Sequence, residues 1–566
     1  MRASRLVTVV LLSALLAAVP APAGASDPWP SGTHQVALGV ERIAGADRYA
    51  TAVAAARSSF PSWKGVTHVV IASGAKASPS DAVAAASLCW AYDAPLLLVS
   101  STAMPAPVRA ALREIRSANP GVSATVVGGP LAVSAAVVGE VRSILGAERV
   151  SQPWTTGGRH ATAAGVAELV SIVASDTARP LPARALVVNG TDGAGFADAA
   201  VAAGVSAATG IPVLYVSRDR VPAPTKEALA ALRPGPVIVI GGTAVVSDAT
   251  YRAVGATSRW AGRTRFTTAV KVAETARARG WLTGATVAMA SASPDTVVGA
   301  INAGRVGGTL LHVKRGTVGL HTAAYLHRTR GVVKRARLIG GTTVLTGALE
   351  AEVKGAPTKP RVIRPKTGAR VAKRARVVVG VGVNTTEVRV YAGDKLVGTK
   401  AARSYSNVDF GLLPTPPSGS SYKVVARNPT GRTSSVTKSY RRYSYPAPTS
   451  IVVDKSDFRL YFFKDDVFVK SYPVSIGRTN AETPVALWRI DSKYRTNPDG
   501  AFGPRKMRLY RKVGSRYVYT AYNIHGTNQP WTIGTKASAG CIRLYNVDIL
   551  DLYPRVPLGT IVQTRE

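Results

Sequence analysis

The strongest constraint on the fold is an internal repeat that fills residues 40–355 with a period of roughly 105 residues. Each copy opens with a similar segment, at 45–52, 158–163 and 262–269. An acidic residue then starts an Ala-rich segment, and a glycine pair closes the copy; the acids are Asp81, Asp198 and Asp295, and the pairs are 128–129, 241–242 and 340–341. A unit that recurs in this way buries its core by packing against its neighbours.

Short apolar runs alternate with amphipathic segments inside each copy, for example 68–72 and 95–99 in the first. Continuous apolar runs of this length are typical of parallel strands that are buried on both faces, with helices between them. We therefore expect each copy to be a three-layer α/β unit with a parallel sheet. None of the glycine pairs forms Gly-x-Gly-x-x-Gly before a helix, which argues against a dinucleotide site.

The triple pattern resembles the type 2 cell-wall-binding repeat of Gram-positive surface proteins. The resemblance implies that residues 40–355 hold the protein to the wall through anionic secondary polymers. The third copy departs from the family pattern at its helix start, where Asp295-Thr296-Val297 stands. The arginines of the opening segments are expected to pair with a helix end or with the aspartate of their own repeat, rather than with polymer; they are Arg48, Arg159 and Arg265.

A second feature carries chemistry: His525-Gly526-Thr527, followed by Ser-Ala-Gly-Cys-Ile-Arg-Leu at 538–544. It holds Cys541, one of two cysteines in the chain, sixteen positions after one of seven histidines. A thiol is nucleophilic only as thiolate, and a nearby imidazole can take its proton. Glycines on both sides indicate tight turns whose backbone N–H groups could face an oxyanion. The alternative is a small buried cysteine and an unrelated surface histidine.

These flanking residues resemble the L,D-transpeptidase (YkuD) family over roughly the last 120 residues. The resemblance implies that Cys541 is the acylated nucleophile and that His525 is its general base. The backbone carbonyl of Gly526 would orient the imidazole, as a carboxylate does in other triads. Backbone amides around Gly540 and Cys541 would form the oxyanion hole.

Four other residues of the motif lead to separate expectations. Ser538 and Arg543 are expected to contact substrate, and the planar guanidinium of Arg543 suits a substrate carboxylate. A salt bridge within the domain is the alternative for Arg543. Many relatives have a second histidine where this chain has Ala539, and a methyl group cannot carry protons. Asn546 is expected to cap a short helix rather than to touch substrate.

The N-terminal 25 residues have the pattern of a secretory signal peptide. Arg2 and Arg5 precede an apolar run at 6–19, and small residues end at Ala23 and Ala25. The apolar run is too short to span a membrane with ease, and no later run predicts a transmembrane helix in the mature protein. We therefore expect a secreted protein of a Gram-positive-type cell wall.

The net charge of +39 at pH 7 predicts a polyanionic partner. An exported protein meets anionic wall polymers and peptidoglycan rather than nucleic acid. A GC-rich genome would explain arginine in place of lysine, but not 32 acidic against 71 basic residues. Of the two cysteines, Cys89 lies in an apolar helical run and is expected to be buried and inert, which leaves Cys541 free of a disulfide.

Between the repeats and the motif lies a basic segment. Residues 354–376 carry nine Lys or Arg, three prolines and no acid, which indicates an extended linker. Alternating apolar and polar residues with turns follow, and they predict a small β-sandwich of immunoglobulin-like type. This domain would space the enzyme from its anchor, with polyanion binding as the lesser alternative.

Together these observations predict a multidomain chain, and the YkuD resemblance implies that the domain at its end is mostly β and catalytic. The predicted boundaries are signal peptide 1–25, repeats 40–150, 151–258 and 259–355, basic linker 356–374, Ig-like domain 375–445 and catalytic domain 446–566. The resemblance implies 3→3 crosslinking of peptidoglycan stem peptides, in wall organisation and cell shape, without cofactor or metal. The alternatives are an L,D-carboxypeptidase, and an adhesion or architectural protein with a vestigial catalytic domain.

Overall fold

The computed structural model describes residues 35–74, 79–154, 158–180, 183–190, 195–291, 295–417 and 421–566. The predicted signal peptide at 1–25 lies outside these residues. Across the part of the chain that is described, no helix has the length and apolar character needed to cross a membrane.

Each repeat is built from strands that alternate with helices. The first repeat contains β1 Gly39–Ile43, α1 Arg48–Ser59, β2 His68–Ser73, α2 Ser80–Ala84, α3 Ala86–Ala91, β3 Leu96–Val99, α4 Ala106–Ala118, β4 Ser123–Val127, α5 Ala135–Leu145 and β5 Val150–Ser151. The second contains α6 Gly158–Asp176, β6 Ala185–Asn189, α7 Phe196–Thr209, β7 Val213–Val216, α8 Ala223–Leu232, β8 Val237–Ile240, α9 Asp248–Ala253 and β9 Ala256–Trp260. The third contains α10 Arg265–Ala278, β10 Thr286–Ala290, α11 Asp295–Gly304, β11 Thr309–His312, α12 Leu320–Arg328, β12 Arg335–Ile339 and α13 Gly347–Val353.

Within the described residues the three repeats form three parallel sheets, which confirms the predicted α/β units. Their strand orders are β3-β2-β4-β5, β7-β6-β8-β9 and β11-β10-β12-β1. The strand that opens the first repeat therefore completes the sheet of the third, with Gly39 opposite Arg335 and Ile43 opposite Ile339. The predicted repeat boundary at residue 40 therefore falls inside β1. In each sheet the fourth strand leads into the first helix of the following repeat. The repeats close into a ring.

One hydrophobic core runs through all three repeats. Its central helices α3, α7 and α11 are rich in alanine and glycine, and nearly every residue of α7 and α11 is buried. A Cβ at Gly304 would lie 2.3 Å from the carbonyl oxygen of Gly204, so the backbones of α11 and α7 meet at this point. Small residues are required where helices approach so closely. The Ala-rich composition therefore reflects the packing of the ring.

Each repeat places its helix-start aspartate against the first glycine of its closing pair. A Cβ at Gly128 would lie 2.5 Å from Asp81 Oδ2, and one at Gly340 would lie 3.0 Å from Asp295 Oδ2. Both glycines have positive φ, at 113° and 112°. The first glycine of each pair thus adopts a positive φ and leaves room for the aspartate carboxylate. These two requirements explain why the glycine recurs in every repeat.

The sequence led us to expect the arginines of the opening segments at a helix end or on the aspartate of their own repeat, but each of them acts on the aspartate of the preceding repeat. Burial raises the pKa of Asp81, Asp198 and Asp295 to about 6. The arginine of the following repeat opposes this shift, with Arg159 acting on Asp81 and Arg48 acting on Asp295. On Asp198 a hydrogen bond from Thr268 and the charge of Arg265 do the same. Ring closure brings these groups together across repeat boundaries, which a linear repeat pattern does not reveal.

In its described residues the middle unit contains strands and no helix. These are β13 Arg361–Arg364, β14 Arg370–Val371, β15 Arg374–Gly380, β16 Glu387–Ala392, β17 Lys395–Ala401, β18 Asn407–Pro414, β19 Ser421–Arg427, β20 Thr433–Ser439 and β21 Arg441–Arg442. One sheet has the order β17-β16-β19-β20, and β15 pairs with β13 and β18. Apolar side chains from both sets of strands share a core. An immunoglobulin-like fold stays a prediction.

The basic segment 356–374 is not a linker outside this unit, because it supplies β13, β14 and the first residue of β15. Val362 of β13 and Val371 of β14 are buried in the core of this unit, whereas Arg361, Arg364 and Arg370 are exposed. Basic composition alone indicated an extended chain. The apolar positions that decide its pairing are single residues between charges.

The C-terminal unit is mostly β, as predicted. Its elements are β22 Ser450–Asp454, β23 Arg459–Lys464, β24 Val467–Pro473, β25 Ile476–Gly477, β26 Ala486–Arg495, β27 Arg505–Val513, β28 Arg516–Val518, β29 Asn523–His525, β30 Lys536–Ser538, β31 Ile542–Arg543, α14 Asn546–Leu552 and β32 Ile561–Arg565. Its main sheet has the order β24-β23-β22-β32-β26-β27-β29-β31. Aromatic stacking of Tyr445 on Phe463, at 4.3 Å between ring centroids, joins it to the middle unit.

The carboxylate pockets of the ring give a testable prediction for stability. Gly128→Ala should destabilise the repeats by roughly 1–3 kcal/mol or more, because the new Cβ meets Asp81 Oδ2 in a backbone that disfavours side chains. Calorimetric unfolding of the full chain measures the shift. Gly139→Ala is the matched control: it lies inside α5 with nothing within 4 Å of the new Cβ, so it should be neutral or stabilise by up to about 1 kcal/mol. Equal effects of the two substitutions would contradict this account of the glycine pairs.

Candidate active site

The candidate site is built on two short parallel strands, β29 and β31. Their register places Ile524 opposite Ile542 and His525 opposite Arg543. Both isoleucines are fully buried in the core of the unit. Because side chains alternate between the faces of a strand, the opposite face carries Asn523 and His525 from one strand and Cys541 and Arg543 from the other. The sheet thus brings the predicted nucleophile and base to one polar face.

The Cys541 thiol is partly exposed and lies close to two polar groups of residues 521–523. Asn523 Nδ2 donates to Sγ over 3.8 Å, and Sγ lies 3.9 Å from the carbonyl oxygen of Ala521. Gly540, directly before the cysteine, has φ of 101°, and a Cβ there would lie 2.3 Å from Tyr522 Cε1. Only glycine fits this turn, so sterics explain Gly540 of the motif.

Hydrogen bonds fix the turn around Gly540. Its N–H donates to Ser538 Oγ over 3.1 Å, and Ser538 Oγ donates to the Cys541 carbonyl over 2.6 Å. Thr483 Oγ1 donates to the Gly540 carbonyl over 2.9 Å. The structure therefore places Ser538 inside the turn as a support, and the Gly540 N–H, expected in the oxyanion hole, is already used by Ser538.

His525 is 2% exposed and is held in one tautomer. Its Nδ1 lies 2.5 Å from the Gly526 carbonyl oxygen, which can only accept, so Nδ1 carries the proton and Nε2 remains an acceptor. Burial lowers the pKa of His525 to about 4; the hydrogen bond to Gly526 opposes this, and the charges of Arg543 and Lys506 add to it. The imidazole is therefore neutral at pH 7 and can accept a proton.

Asn546 holds the His525-Gly526-Thr527 segment in place. Its Oδ1 accepts from the Thr527 N–H over 2.9 Å, and a Cβ at Gly526 would lie 2.4 Å from the same oxygen. The residue does not cap α14 as expected, because Tyr545 occupies the N-cap and no side chain caps the helix. Asn546 instead fixes the backbone whose carbonyl orients the imidazole.

Arg543 makes no salt bridge within the described residues. Its Nη1 donates to Gln529 Oε1 over 3.0 Å, and its buried Nε has no acceptor. Its backbone exchanges two hydrogen bonds of 2.9 Å with Ser475. The salt-bridge alternative is therefore wrong, and the guanidinium is left with capacity for a further acceptor.

Sequence reasoning missed Asn523, which is 3% exposed. Its Nδ2 also donates to the Ala521 carbonyl over 2.6 Å, which fixes the orientation of the amide and points one N–H toward the sulfur. Its position two residues before His525, on the same strand face, is the signal that could have revealed it. Cys89, in contrast, is buried and free, and burial raises the pKa of its thiol. No group of three or more His, Cys, Asp or Glu in the described ranges could hold a metal ion.

Comparison with known proteins supports both halves of the sequence analysis. The family model for cell wall binding domain 2 matches residues 42–138, 157–251 and 259–350, about half of the chain. The model for the L,D-transpeptidase catalytic domain, YkuD, matches residues 448–563.

Individual relatives cover only parts of the chain. The YkuD protein of Bacillus licheniformis is 36% identical over 115 residues, which are 20% of this chain and 64% of that protein. N-acetylmuramoyl-L-alanine amidase LytC of Bacillus subtilis is 25% identical over 236 residues, 42% of each chain. Among solved structures, Cwp6 from Clostridium difficile is 21% identical and has a TM-score of 0.46, with coverage of 57% of this chain and 49% of that one. The match thus spans less than two thirds of the YkuD relative.

The three matched repeats agree with the three parallel sheets, and the YkuD match contains the strands that carry His525 and Cys541. The chain belongs to the cell wall binding domain 2 family through residues 42–350 and carries a YkuD-family L,D-transpeptidase catalytic domain at residues 448–563.

Proposed function

We propose that this chain is a secreted, wall-anchored L,D-transpeptidase that forms 3→3 crosslinks through a thioester on Cys541. The observation that carries the proposal is the polar face of β29 and β31. There, a buried His525, neutral at pH 7 and fixed by Gly526, lies one strand away from a partly exposed thiol. An imidazole with a free Nε2 beside a thiol is the arrangement that covalent acyl transfer requires.

In the first half-reaction His525 Nε2 takes the Cys541 proton, and the thiolate attacks the carbonyl carbon of the L-centre of the diamino acid in a stem tetrapeptide. The oxyanion needs a backbone donor. The Cys541 N–H takes no part in the hydrogen bonds of the Gly540 turn, so we assign the oxyanion to it rather than to the Gly540 N–H. His525 then gives its proton to the leaving amine, the amide C–N bond breaks, D-Ala departs and a thioester remains.

In the second half-reaction the side-chain amine of a neighbouring stem attacks the thioester. A C–N bond forms and the C–S bond breaks, while His525 takes the proton from the amine and returns it to the sulfur. Water in place of the amine would give the L,D-carboxypeptidase outcome. Arg543, with no carboxylate partner in the described residues, is the proposed contact for the terminal carboxylate of the donor stem.

Asn523 compensates for the absence of a second histidine at Ala539. An N–H that donates to sulfur stabilises the thiolate more than the thiol, because a hydrogen bond to the charged form favours that form. The amide does not move protons, so His525 carries every proton transfer. An intact nucleophile, base and orienting carbonyl argue against a vestigial domain.

The repeats are the proposed anchor. They match a wall-binding family over half of the chain, and the net charge of +39 calls for an anionic partner such as the secondary polymers of the wall. The middle unit would space the enzyme from this ring, and the stacking of Tyr445 on Phe463 joins it to the catalytic domain.

The proposed reaction predicts that the full chain releases D-Ala from tetrapeptide stems and forms 3→3 dimers. Cys541→Ala should lose both, because no thioester can form. Chromatography with mass spectrometry of the products measures this. Cys89→Ala is the matched control, since that thiol is buried away from the site, and it should keep both activities. Parental turnover by the Cys541 variant would contradict the assignment.

Anchoring by charge predicts that binding to isolated wall depends on ionic strength. Exposed charges more than about 10 Å apart are screened at roughly 0.1 M salt. The full chain should therefore sediment with wall at low salt, be released as salt is raised, and fail to bind wall stripped of anionic polymers. A neutral osmolyte at the same osmolality should release nothing. If binding to wall changes neither with salt nor with removal of the anionic polymers, the result would contradict an electrostatic anchor.

A further inference from the structure

The polar face that carries the candidate site continues across the sheet onto β27. The antiparallel register places Lys506 opposite His525 and Arg508 opposite Asn523. Between them, Met507 is fully buried in the core, so Lys506 and Arg508 point to the same side as His525 and Asn523. The order across this face is therefore Cys541, then His525 and Asn523, then the two basic side chains.

Exposed aromatic rings surround the two cations. Lys506 Nζ lies 4.5 Å from the ring centroid of Phe502 and 5.2 Å from that of Tyr494, and Arg508 Cζ lies 4.8 Å from that of Tyr519. The rings remain open to solvent, at 40% exposure for Phe502, 41% for Tyr494 and 62% for Tyr519. The Phe502 ring also meets the imidazole of His525 edge-on at 5.0 Å. We call Tyr494, Phe502, Lys506, Arg508 and Tyr519 the basic-aromatic strip.

The cations of the strip have no carboxylate partner among the described residues. Arg508 donates to the Tyr519 hydroxyl, and its buried Nε has no acceptor. Two basic residues of the adjacent strand β26 differ: Arg489 pairs with Asp491, and Lys493 donates to the carbonyls of Tyr553 and Val556. A buried donor without a partner costs free energy. The two cations beside His525 would therefore be stabilised by an acceptor that comes from outside the chain.

We infer that the basic-aromatic strip binds the acceptor stem peptide through its free carboxylates. The inference rests on the proposed function and deepens it. The acceptor amine must meet His525 Nε2 before it attacks the thioester, and the strip lies on the side of His525 away from Cys541. A stem held there presents its amine to the base first and the sulfur second. Its carboxylates meet Lys506 and Arg508, and its apolar portions meet the rings.

Acceptor binding decides whether the thioester is transferred or hydrolysed. When the acceptor amine occupies the approach past His525, it outcompetes water, and the product is a dimer. When the strip cannot hold the acceptor, D-Ala is still released, because the donor reaches Cys541 without the strip, and water takes the acyl group. The strip therefore sets the ratio of transpeptidation to carboxypeptidase activity.

The experiment measures D-Ala release and the dimer-to-tripeptide ratio for the full chain and for Lys506→Gln/Arg508→Gln, with acceptors that differ only in amidation of their carboxyl groups. We expect the double variant still to release D-Ala, at a rate that changes only through the loss of the Lys506 charge beside His525. Its dimer-to-tripeptide ratio should fall by on the order of tenfold or more with the free-carboxyl acceptor, the size of a lost charge-assisted hydrogen bond. With the amidated acceptor the parent should already show the low ratio. Continued D-Ala release also shows that the variant is folded.

The matched control is Arg511→Gln/Lys512→Gln, which removes the same charge from exposed positions of β27, with Lys512 roughly 20 Å along the strand from Lys506. It should keep the parental ratio. If both double variants show the same ratio, or if amidation of the acceptor changes nothing, the strip does not bind the acceptor and the inference is overturned while the proposed function stands. If the parent releases no D-Ala, the proposed function fails and the inference falls with it.

Discussion

The parallel register of β29 on β31 is the constraint on which the site depends. It buries Ile524 against Ile542 and so sends His525 and Cys541 to the opposite face. A slip of one residue would place the polar side chains of this face in the core and expose the two isoleucines to solvent. That register is unfavourable because it loses the burial of apolar surface. Two apolar side chains therefore fix the geometry of a nucleophile and a base that lie sixteen positions apart in sequence.

Burial then sets the chemistry of that face. It keeps His525 neutral, and the cations on either side, Arg543 and Lys506, act in the same direction. The Gly526 carbonyl holds the proton on Nδ1, and Asn546 holds the backbone that carries this carbonyl. A catalytic carboxylate is thus unnecessary, because a fixed carbonyl dipole orients the ring without adding a charge that would raise its pKa.

Local and periodic signals predicted the architecture well. The three repeats followed from spacing and apolar runs, whereas the mostly-β end and the roles of His525 and Cys541 followed from the resemblance to the YkuD family. What failed depended on long-range pairing: β1 completing the sheet of the third repeat, arginines facing the preceding repeat's aspartate, and basic strands joining a sheet. Asn523 and the basic-aromatic strip are visible only once cross-strand register is known. The Gly540 N–H was expected in the oxyanion hole but donates to Ser538 Oγ. This hydrogen bond depends on the geometry of the turn, which residue types alone do not specify.

The central claim is that His525 is a buried, neutral base, and its ionisation tests this most directly. Histidine-selective isotope labelling of the full chain, with His525→Gln to assign the signal, allows NMR titration of this imidazole. The account predicts an unprotonated ring with its proton on Nδ1 from pH 8 down to about 5.5, with protonation only near pH 4. In the urea-unfolded chain the same histidine should titrate near about 6.5. A folded-state titration at that ordinary value, or a proton on Nε2 at pH 7, would contradict the account.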